Sequence, residues 1–204
     1  MEGTFLIDLS QISAIILAGG QALRMGGVDK GLVDLEQQRL IEHVLNRIRP
    51  QVGPIMISAN RNHAEYQHYG YPVLQDKHAD YQGPLSGIAE GLQKLTTAWL
   101  LVVPCDSPQL PTDLVSRLYQ AVIKDTSLAS IAHDGDYLQP AFNLIHASLL
   151  PSLLHYLKAD DRKLAHWLRQ HQPSIVDFSD QPESFININS SEQLSKFQFQ
   201  TAPR

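Results

Sequence analysis

Two cations in a glycine-rich segment could bind phosphate. Arg24 and Lys30 lie within residues 19–31, which follow the apolar run 12–17. Glycines allow backbone N–H groups to turn towards an anion, and the two side chains add full positive charge. Neither common nucleotide fingerprint fits, because residues 20–26 are not followed by Lys-Ser/Thr and the Gly-x-Gly-x-x-Gly spacing is absent. The segment therefore predicts a phosphate-binding loop of another class.

Asp106 is the candidate metal ligand. It follows the apolar run 98–104, which predicts a buried strand, and open α/β folds bind ligands beyond the carboxyl ends of their strands. Magnesium prefers hard oxygen ligands and commonly takes only one or two protein carboxylates. The alternative is that Asp106 caps the following loop. Cys105 is interpreted as a small buried hydrophobe rather than a nucleophile, because no partner base is evident.

Continuous apolar runs and apolar residues at helical spacing predict the strands and helices that must position these residues. Strands are predicted at 12–17, 54–60, 72–75 and 98–104, and helices at 39–49, 63–69, 84–95 and 112–124, the last capped by Thr112. This order predicts a mostly parallel sheet with crossover helices. Asp134-Gly135 between 128–132 and 138–145 predicts an added antiparallel hairpin. Helices at 148–157 and 161–171 and a strand at 174–178 follow.

Composition limits the class of protein. The chain has 204 residues, of which 43% are hydrophobic and 18% charged, and its net charge is −5. These values predict one globular domain over 1–204, with loose tails at 1–11 and 197–204. We expect no nucleic-acid partner, because the basic residues form no stripe, and no membrane segment, because no apolar run approaches the length of a span. A single cysteine and no secretory signal favour the cytoplasm.

Two further segments contain small or amide residues that suit a ligand. Gly83 and Gly87 flank Pro84, which is well placed in the first turn of a helix, so a ligand could approach the helix start closely. The alternative is a helix with small residues for packing. Asn187 and Asn189 alternate and predict two amides on one face. The alternative there is a surface strand end with ordinary turn asparagines.

Taken together, these motifs resemble a known family. Leu17-Ala18-Gly19-Gly20, Arg24-Met25-Gly26 and Lys30 are similar to the signature loop of nucleotidyltransferases that move a nucleotide from a triphosphate to a phosphate acceptor. Residues 24–32 most closely resemble the molybdenum cofactor guanylyltransferases, as do 83–87, the strand ending at Asp106, 176–180 and 185–189. The resemblance implies a Rossmann-like three-layer nucleotidyltransferase fold of the α/β class.

The resemblance also implies an activity and its site. The activity is transfer of GMP from GTP to the phosphate of molybdopterin, the organic part of the molybdenum cofactor, with Mg²⁺ as cofactor and with molybdoenzymes or their maturation proteins as further partners. It assigns catalysis to Arg24, Lys30 and Asp106, with Asp106 on the metal. It assigns GTP binding to Leu17, Ala18, Gly19, Gly20, Lys30, Ser58, Asp76 and Asp106. It assigns the acceptor to Gly83, Gly87, Arg162, Lys163, Asn187 and Asn189.

Two positions bear on the choice of nucleotide. The closest members of the family have Asn where this chain has Ser58, and serine has less reach than an amide. Cytidylyl relatives have Ala-Gly where this chain has Gly19-Gly20, and the missing methyl group leaves room for a purine. The alternatives are a cytidylyltransferase, a sugar-phosphate nucleotidyltransferase or a noncatalytic nucleotide-binding module. Asp106 argues against the last, because binding alone needs no metal at the α-phosphate.

Overall fold

A sheet of seven strands lies at the centre of the computed structural model, which describes residues 8–19, 29–76, 83–159 and 162–188. In chain order the strands are β1 (Ile12–Leu17), β2 (Asp34–Leu35), β3 (Gln38–Arg39), β4 (Ile55–Ser58), β5 (Val73–Leu74), β6 (Trp99–Pro104), β7 (Ala129–His133), β8 (Leu138–His146) and β9 (Ser174–Asp177). β2 and β3 form a separate antiparallel pair. The other seven are ordered β5-β4-β1-β6-β8-β7-β9.

The sheet is mostly parallel, as the sequence predicts. β1 pairs in parallel with β4 and β6, β4 with β5, and β7 with β9. β8 runs against both of its neighbours, β6 and β7, so the predicted antiparallel hairpin is confirmed. Its second strand lies inside the sheet, between β6 and β7, rather than at an edge.

Helices cover both faces of the sheet. They are α1 (Leu40–Ile48), α2 (His63–Gln67), α3 (Pro84–Lys94), α4 (Leu114–Asp125), α5 (Leu150–Tyr156) and α6 (Leu164–Arg169). Apolar residues of α1, α2 and α4 pack in one core cluster, and those of α3, α5 and α6 pack in a second. β1 contributes Ile16 to the first and Ile15 to the second, because successive strand residues face opposite sides. This is the predicted three-layer arrangement.

A local signal explains the start of α1, whereas the start of α4 differs from the prediction. The apolar residues of α1 recur at helical spacing and are buried, and the side chain of Glu42 accepts a hydrogen bond from the backbone N–H of Arg39, the residue that caps the helix. The prediction that Thr112 caps α4 is wrong by one residue, because Asp113 occupies the cap position. The carboxylate of Asp113 makes no cap hydrogen bond and instead accepts one from Gln181 Nε2 at 3.2 Å.

Residues 176–180, which resemble a family motif, are held against α4 by Arg117. Its guanidinium group donates one hydrogen bond to each carboxylate oxygen of Asp180, both at 3.0 Å, and another to the backbone oxygen of Asp177. The guanidinium carbon also lies 3.9 Å from the centroid of the Phe178 ring. A fork of donors and a stacked ring together specify the path of the chain where β9 ends.

The chain then returns to the carboxyl edge of the sheet. The Phe178 ring packs edge-to-face on Phe185 at 5.3 Å, and Phe185 packs on Phe142 of β8 at 4.9 Å. Three residues later, the backbone N–H of Ile188 donates to the backbone oxygen of Asp106 at 2.9 Å. The aromatic contacts thus bring residues 186–188 beside the end of β6.

None of the helices in the described ranges is long and apolar enough to cross a bilayer.

The Arg117 contacts give a prediction about acid stability. Its hydrogen bonds lower the pKa of Asp180, so this carboxylate stays ionised in the folded chain at a pH where an unfolded aspartate, with a pKa of about 3.9, is protonated. The stability it adds is therefore complete above that pH and is lost as the pH falls through the lowered pKa. Asp180→Asn should destabilise the fold at neutral pH, and the difference from wild type should shrink as the pH falls into the acid range below about 3.9, the ordinary aspartate pKa.

Urea unfolding of the two proteins across this range measures the difference. Asp136→Asn is the matched control, since Asp136 is an exposed carboxylate in the turn between β7 and β8. A deficit in Asp180→Asn that is independent of pH would show that the charge of Asp180 does not stabilise the fold.

Candidate active site

Three strands end side by side at one edge of the sheet. Leu17, the last residue of β1, is paired with Ser58 of β4 and with Pro104 of β6. Beyond the strands, Ala18 N–H donates to Ser58 O at 2.8 Å and Cys105 N–H donates to Leu17 O at 3.1 Å. The residues predicted to contact nucleotide at 17–19 and 58, and the predicted metal ligand at 106, therefore lie along one edge.

Lys30 and Asp106 form an ion pair at this edge. Lys30 Nζ lies 3.1 Å from Asp106 Oδ2, although the residues are 76 positions apart in sequence. Lys30 begins a 3₁₀ turn, Lys30–Leu32, in which Leu32 N–H donates to Asp29 O. The side chain of Lys30 is 32% exposed and that of Asp106 is 10% exposed. The structure thus unites a cation that suits phosphate with a hard oxygen that suits a divalent metal ion.

Cys105 lies between these groups and the core. It is buried, and burial raises the pKa of its thiol well above the usual value. A thiol in this environment stays protonated and is a poor nucleophile. The interpretation of Cys105 as a small buried hydrophobe agrees with this environment.

Asp76 is held by Asn60, a residue that the sequence did not single out as a ligand. Asn60 Nδ2 donates to Asp76 Oδ2 at 2.8 Å, and Asp76 N–H donates to Asn60 Oδ1 at 2.9 Å. A Cβ atom added to Gly19 would lie 3.5 Å from Asn60 Nδ2. The other carboxylate oxygen of Asp76, Oδ1, is buried and has no donor within the described residues. The Asn60–Asp76 pair therefore borders the end of β1.

Ser58 and Gly87 are in contact across two elements. Ser58 is buried, and a Cβ atom on Gly87 would lie 3.1 Å from Ser58 Cβ and 3.3 Å from Leu17 Cδ2, and closer still to Ser58 Oγ. Any larger residue at 87 would overlap the end of β4. Packing of α3 on the strand ends is thus sufficient to explain this glycine, and its predicted contact with the acceptor stays a prediction.

Gly83 has a different environment. It precedes α3 with φ +67° and ψ −155°, a conformation that only glycine adopts readily. It is exposed, and within the described residues no atom lies within 4 Å of the position a Cβ would take. Among the described residues, nothing occupies the position beside Gly83 at the start of α3, and its predicted contact with the acceptor stays a prediction.

The predicted acceptor residues are only partly brought together. The side chain of Asn187 accepts a hydrogen bond from Oγ of Ser107, the residue that follows Asp106. Arg162 and Lys163 are exposed at the start of α6, on the face of the sheet covered by α3, α5 and α6, and Lys163 O accepts a hydrogen bond from Tyr156 OH at 3.4 Å. Gly20, Arg24 and Asn189 lie outside the described residues, and their roles stay predictions.

Comparisons with known proteins bear on this site. A family model described as a MobA-like NTP transferase domain matches residues 14–175. The molybdenum cofactor guanylyltransferase of Vibrio parahaemolyticus is 48% identical over 192 residues, which cover 94% of this chain and 97% of that relative. Such identity over nearly the whole of both chains extends the likeness well beyond the glycine-rich segment.

Two solved structures are similar in fold. Molybdopterin-guanine dinucleotide biosynthesis protein A from Archaeoglobus fulgidus has a TM-score of 0.76 at 23% identity, covering 92% of this chain and 97% of its own. A 4-diphosphocytidyl-2C-methyl-D-erythritol synthase from Anaerococcus prevotii has a TM-score of 0.70 at 15% identity, covering 95% and 97%. These structures establish the nucleotidyltransferase fold alone. The family model and the relative's identity show that the chain belongs to the molybdenum cofactor guanylyltransferase family, within the MobA-like NTP transferases.

Proposed function

We propose that this protein transfers GMP from GTP to the phosphate of molybdopterin, forming molybdopterin guanine dinucleotide and releasing pyrophosphate. The Lys30–Asp106 ion pair carries the proposal, because it places a phosphate-binding cation and a metal-binding carboxylate together at the edge where β1 and β6 end. The family of the chain supports the choice of substrates. Molybdoenzymes or their maturation proteins as partners and a cytoplasmic location belong to the same proposal.

The chemistry needs no general base. The acceptor phosphate has a second pKa of about 6, so it is largely dianionic near neutral pH and is already a nucleophile. The protein must align it with the α-phosphorus and offset the negative charge on the phosphate oxygens. Lys30 supplies positive charge on the β6 side of the site. Arg24 would supply more from the glycine-rich segment.

Asp106 suits a divalent metal ion, and we propose that the ion is Mg²⁺. Within the described residues, no group of three or more His, Cys, Asp or Glu side chains could hold a metal. Mg²⁺ fits a single carboxylate, because it commonly uses one or two and completes its shell with phosphate oxygens and waters. When bound at Asp106, the ion would neutralise triphosphate charge and orient the α-phosphate.

Gly19 and the Asn60–Asp76 pair favour guanine among the nucleobases. They are neighbours at the end of β1, where a Cβ atom at residue 19 would lie 3.5 Å from Asn60 Nδ2, and Gly19 leaves that position without a methyl group. The backbone there can pair with the polar edge of a base. A base of the wrong pattern leaves buried polar groups unpaired, at about 1–3 kcal/mol each. The fold does not separate guanylyl from cytidylyl transfer. Gly19 argues against the cytidylyl alternative, and the family of the chain argues against both the cytidylyl and the sugar-phosphate alternatives.

The first prediction concerns base preference. Wild-type protein should bind Mg²⁺-GTP more tightly than Mg²⁺-CTP by at least about tenfold, a difference of about 1.4 kcal/mol. Gly19→Ala should reduce this preference, chiefly by weakening GTP. The added methyl group would make only ordinary contacts, 3.5 Å from Asn60 Nδ2 and 3.8 Å from Ser58 O, so the fold should tolerate it. Competition binding measures both affinities, and an unchanged melting temperature is the control. Equal affinities in wild type would favour the cytidylyl alternative.

The second prediction concerns Asp106. Asp106→Asn should lower turnover by at least about a hundredfold, because it removes the negative charge of the proposed metal ligand at the reacting phosphate and so weakens metal binding. The protein should stay folded, since the Lys30 side chain is one-third exposed and its ammonium group stays hydrated when the charge of Asp106 is lost. Pyrophosphate release with and without a chelator, together with thermal unfolding, measures both effects. Asp125→Asn, at the far end of α4, is the control. Near-normal turnover in Asp106→Asn would exclude the proposed metal site.

The third prediction concerns the acceptor. Replacing Arg162 and Lys163 together by alanine should raise the KM for molybdopterin by about tenfold, because an anionic acceptor needs cationic donors, and leave the KM for GTP unchanged. Lys158→Ala with Arg169→Ala is the matched control, since both residues are exposed cations, Lys158 in the turn after α5 and Arg169 at the end of α6. A normal acceptor KM in the first double variant would show that Arg162 and Lys163 form only a solvated surface.

A further inference from the structure

The two residues that flank Lys30 both contact one buried tyrosine. Tyr66 of α2 has no exposed surface, and its hydroxyl group donates a hydrogen bond to Asp29 Oδ1 at 2.6 Å. A Cβ atom on Gly31 would come within 2.7 Å of the same hydroxyl oxygen. The backbone on either side of Lys30 is thus fixed against a single side chain.

Neighbouring residues strengthen this arrangement. Asn62 Nδ2 donates to the other carboxylate oxygen of Asp29 at 3.4 Å, so both oxygens of this buried group have donors. The Cβ position of Gly31 is also 3.3 Å from Cβ and Sγ of Cys105, the residue before Asp106. Gly31 therefore lies between Tyr66 and the end of β6. A side chain at residue 31 would push the turn away from Asp106.

We propose that Tyr66 is a positioning residue for Lys30: its hydrogen bond to Asp29 fixes the turn Lys30–Leu32 so that the lysine ammonium group faces Asp106 and the substrate phosphates. The inference rests on the proposed function, in which Lys30 binds phosphate. Lysine has a long, flexible side chain, and the order of its ammonium group depends on how firmly its backbone is placed. Supporting groups of this kind matter because small displacements of a charged group weaken its interaction with the reacting phosphate.

The direction of the hydrogen bond is well defined. Burial raises the pKa of Tyr66 above its ordinary value, and the neighbouring Asp29 carboxylate acts in the same sense. The hydroxyl group therefore keeps its proton and donates to Asp29. A buried tyrosine hydroxyl needs such a partner, whereas the ring needs only apolar contacts. Tyr66→Phe thus separates the hydrogen bond from the packing.

The test compares binding of Mg²⁺-GTP with binding of guanosine, which lacks phosphates. Tyr66→Phe should lower GTP affinity by about fivefold to tenfold, in keeping with one misplaced charged contact, and leave guanosine affinity unchanged. In a Lys30→Met background the same substitution should cause no further loss of GTP affinity. Tyr71→Phe is the matched control. The Tyr71 hydroxyl accepts a hydrogen bond from Arg49 Nε, at a distance of 2.7 Å, and neither residue belongs to the site.

Other outcomes overturn the inference. An unchanged ratio of GTP to guanosine affinity in Tyr66→Phe would show that the hydroxyl does not act through the phosphates. An equal loss with and without Lys30 would show that it does not act through Lys30. If Tyr66→Phe does not fold, Asp29→Ala and Asp29→Asn replace it. The alanine variant should lose GTP affinity, and the asparagine variant, which still accepts from Tyr66, should keep most of it. Wild-type protein that binds GTP no better than guanosine would contradict the proposed function instead.

Discussion

Backbone hydrogen bonds on both sides of β1 set the geometry of the whole carboxyl edge. β1 is paired along its length with β6 and over its last four residues with β4, and the pairing continues past its end through Ala18 and Cys105. Side chains on both of its faces are buried, so a shift by one residue would exchange the two cores. The register of one central strand therefore determines which residues of three strands meet at the site.

Charge at this edge is local rather than general. The chain carries a net charge of −5, yet a lysine and an aspartate face each other in a partly buried setting at the end of β6. An anionic triphosphate approaching an acidic protein needs positive charge concentrated at the site, and in the proposed function Lys30, Arg24 and a metal ion on Asp106 would provide it. The buried hydrogen bonds of Asp29 and Asn60 are not proposed to contact the phosphates. They hold the backbone next to Lys30 and the side chain of Asp76 in place. Positioning and charge are thus supplied by different residues.

Sequence reasoning located Lys30 and Asp106 because each follows a pattern that can be recognised locally. An apolar run that ends in aspartate and a glycine-rich segment with a lysine are both visible within about a dozen residues. The pairing of Asp29 with Tyr66 joins positions 37 apart, and Tyr66 belongs to no motif, so nothing in the sequence around Asp29 points to it. The hydrogen bonds between Asn60 and Asp76 could not be predicted either, because the two residues follow different strands, β4 and β5. Contacts between separate elements leave no periodic signal.

The structure gives Gly83 and Gly87 different environments. Gly83 and Gly87 were both attributed to close approach by a ligand, and Gly83 has the open position that this requires. Gly87 faces Ser58, so the need for a small residue there comes from helix packing.

The added hairpin was predicted from Asp134-Gly135, but the position of β8 between β6 and β7 was not, because strand order depends on pairing energies across the sheet rather than on the turn.

The inner position of β8 also governs the order in which the sheet can be completed during synthesis. β6 is translated well before residues 138–146, and in the finished sheet its second edge is covered by β8. Until those residues emerge, one side of β6 presents unpaired backbone donors and acceptors, as any open edge does. β7 and β9 reach the rest of the sheet only through β8. The described strands therefore divide into an early group built on β1 and a late group whose sheet hydrogen bonds to the early group run through β8 alone.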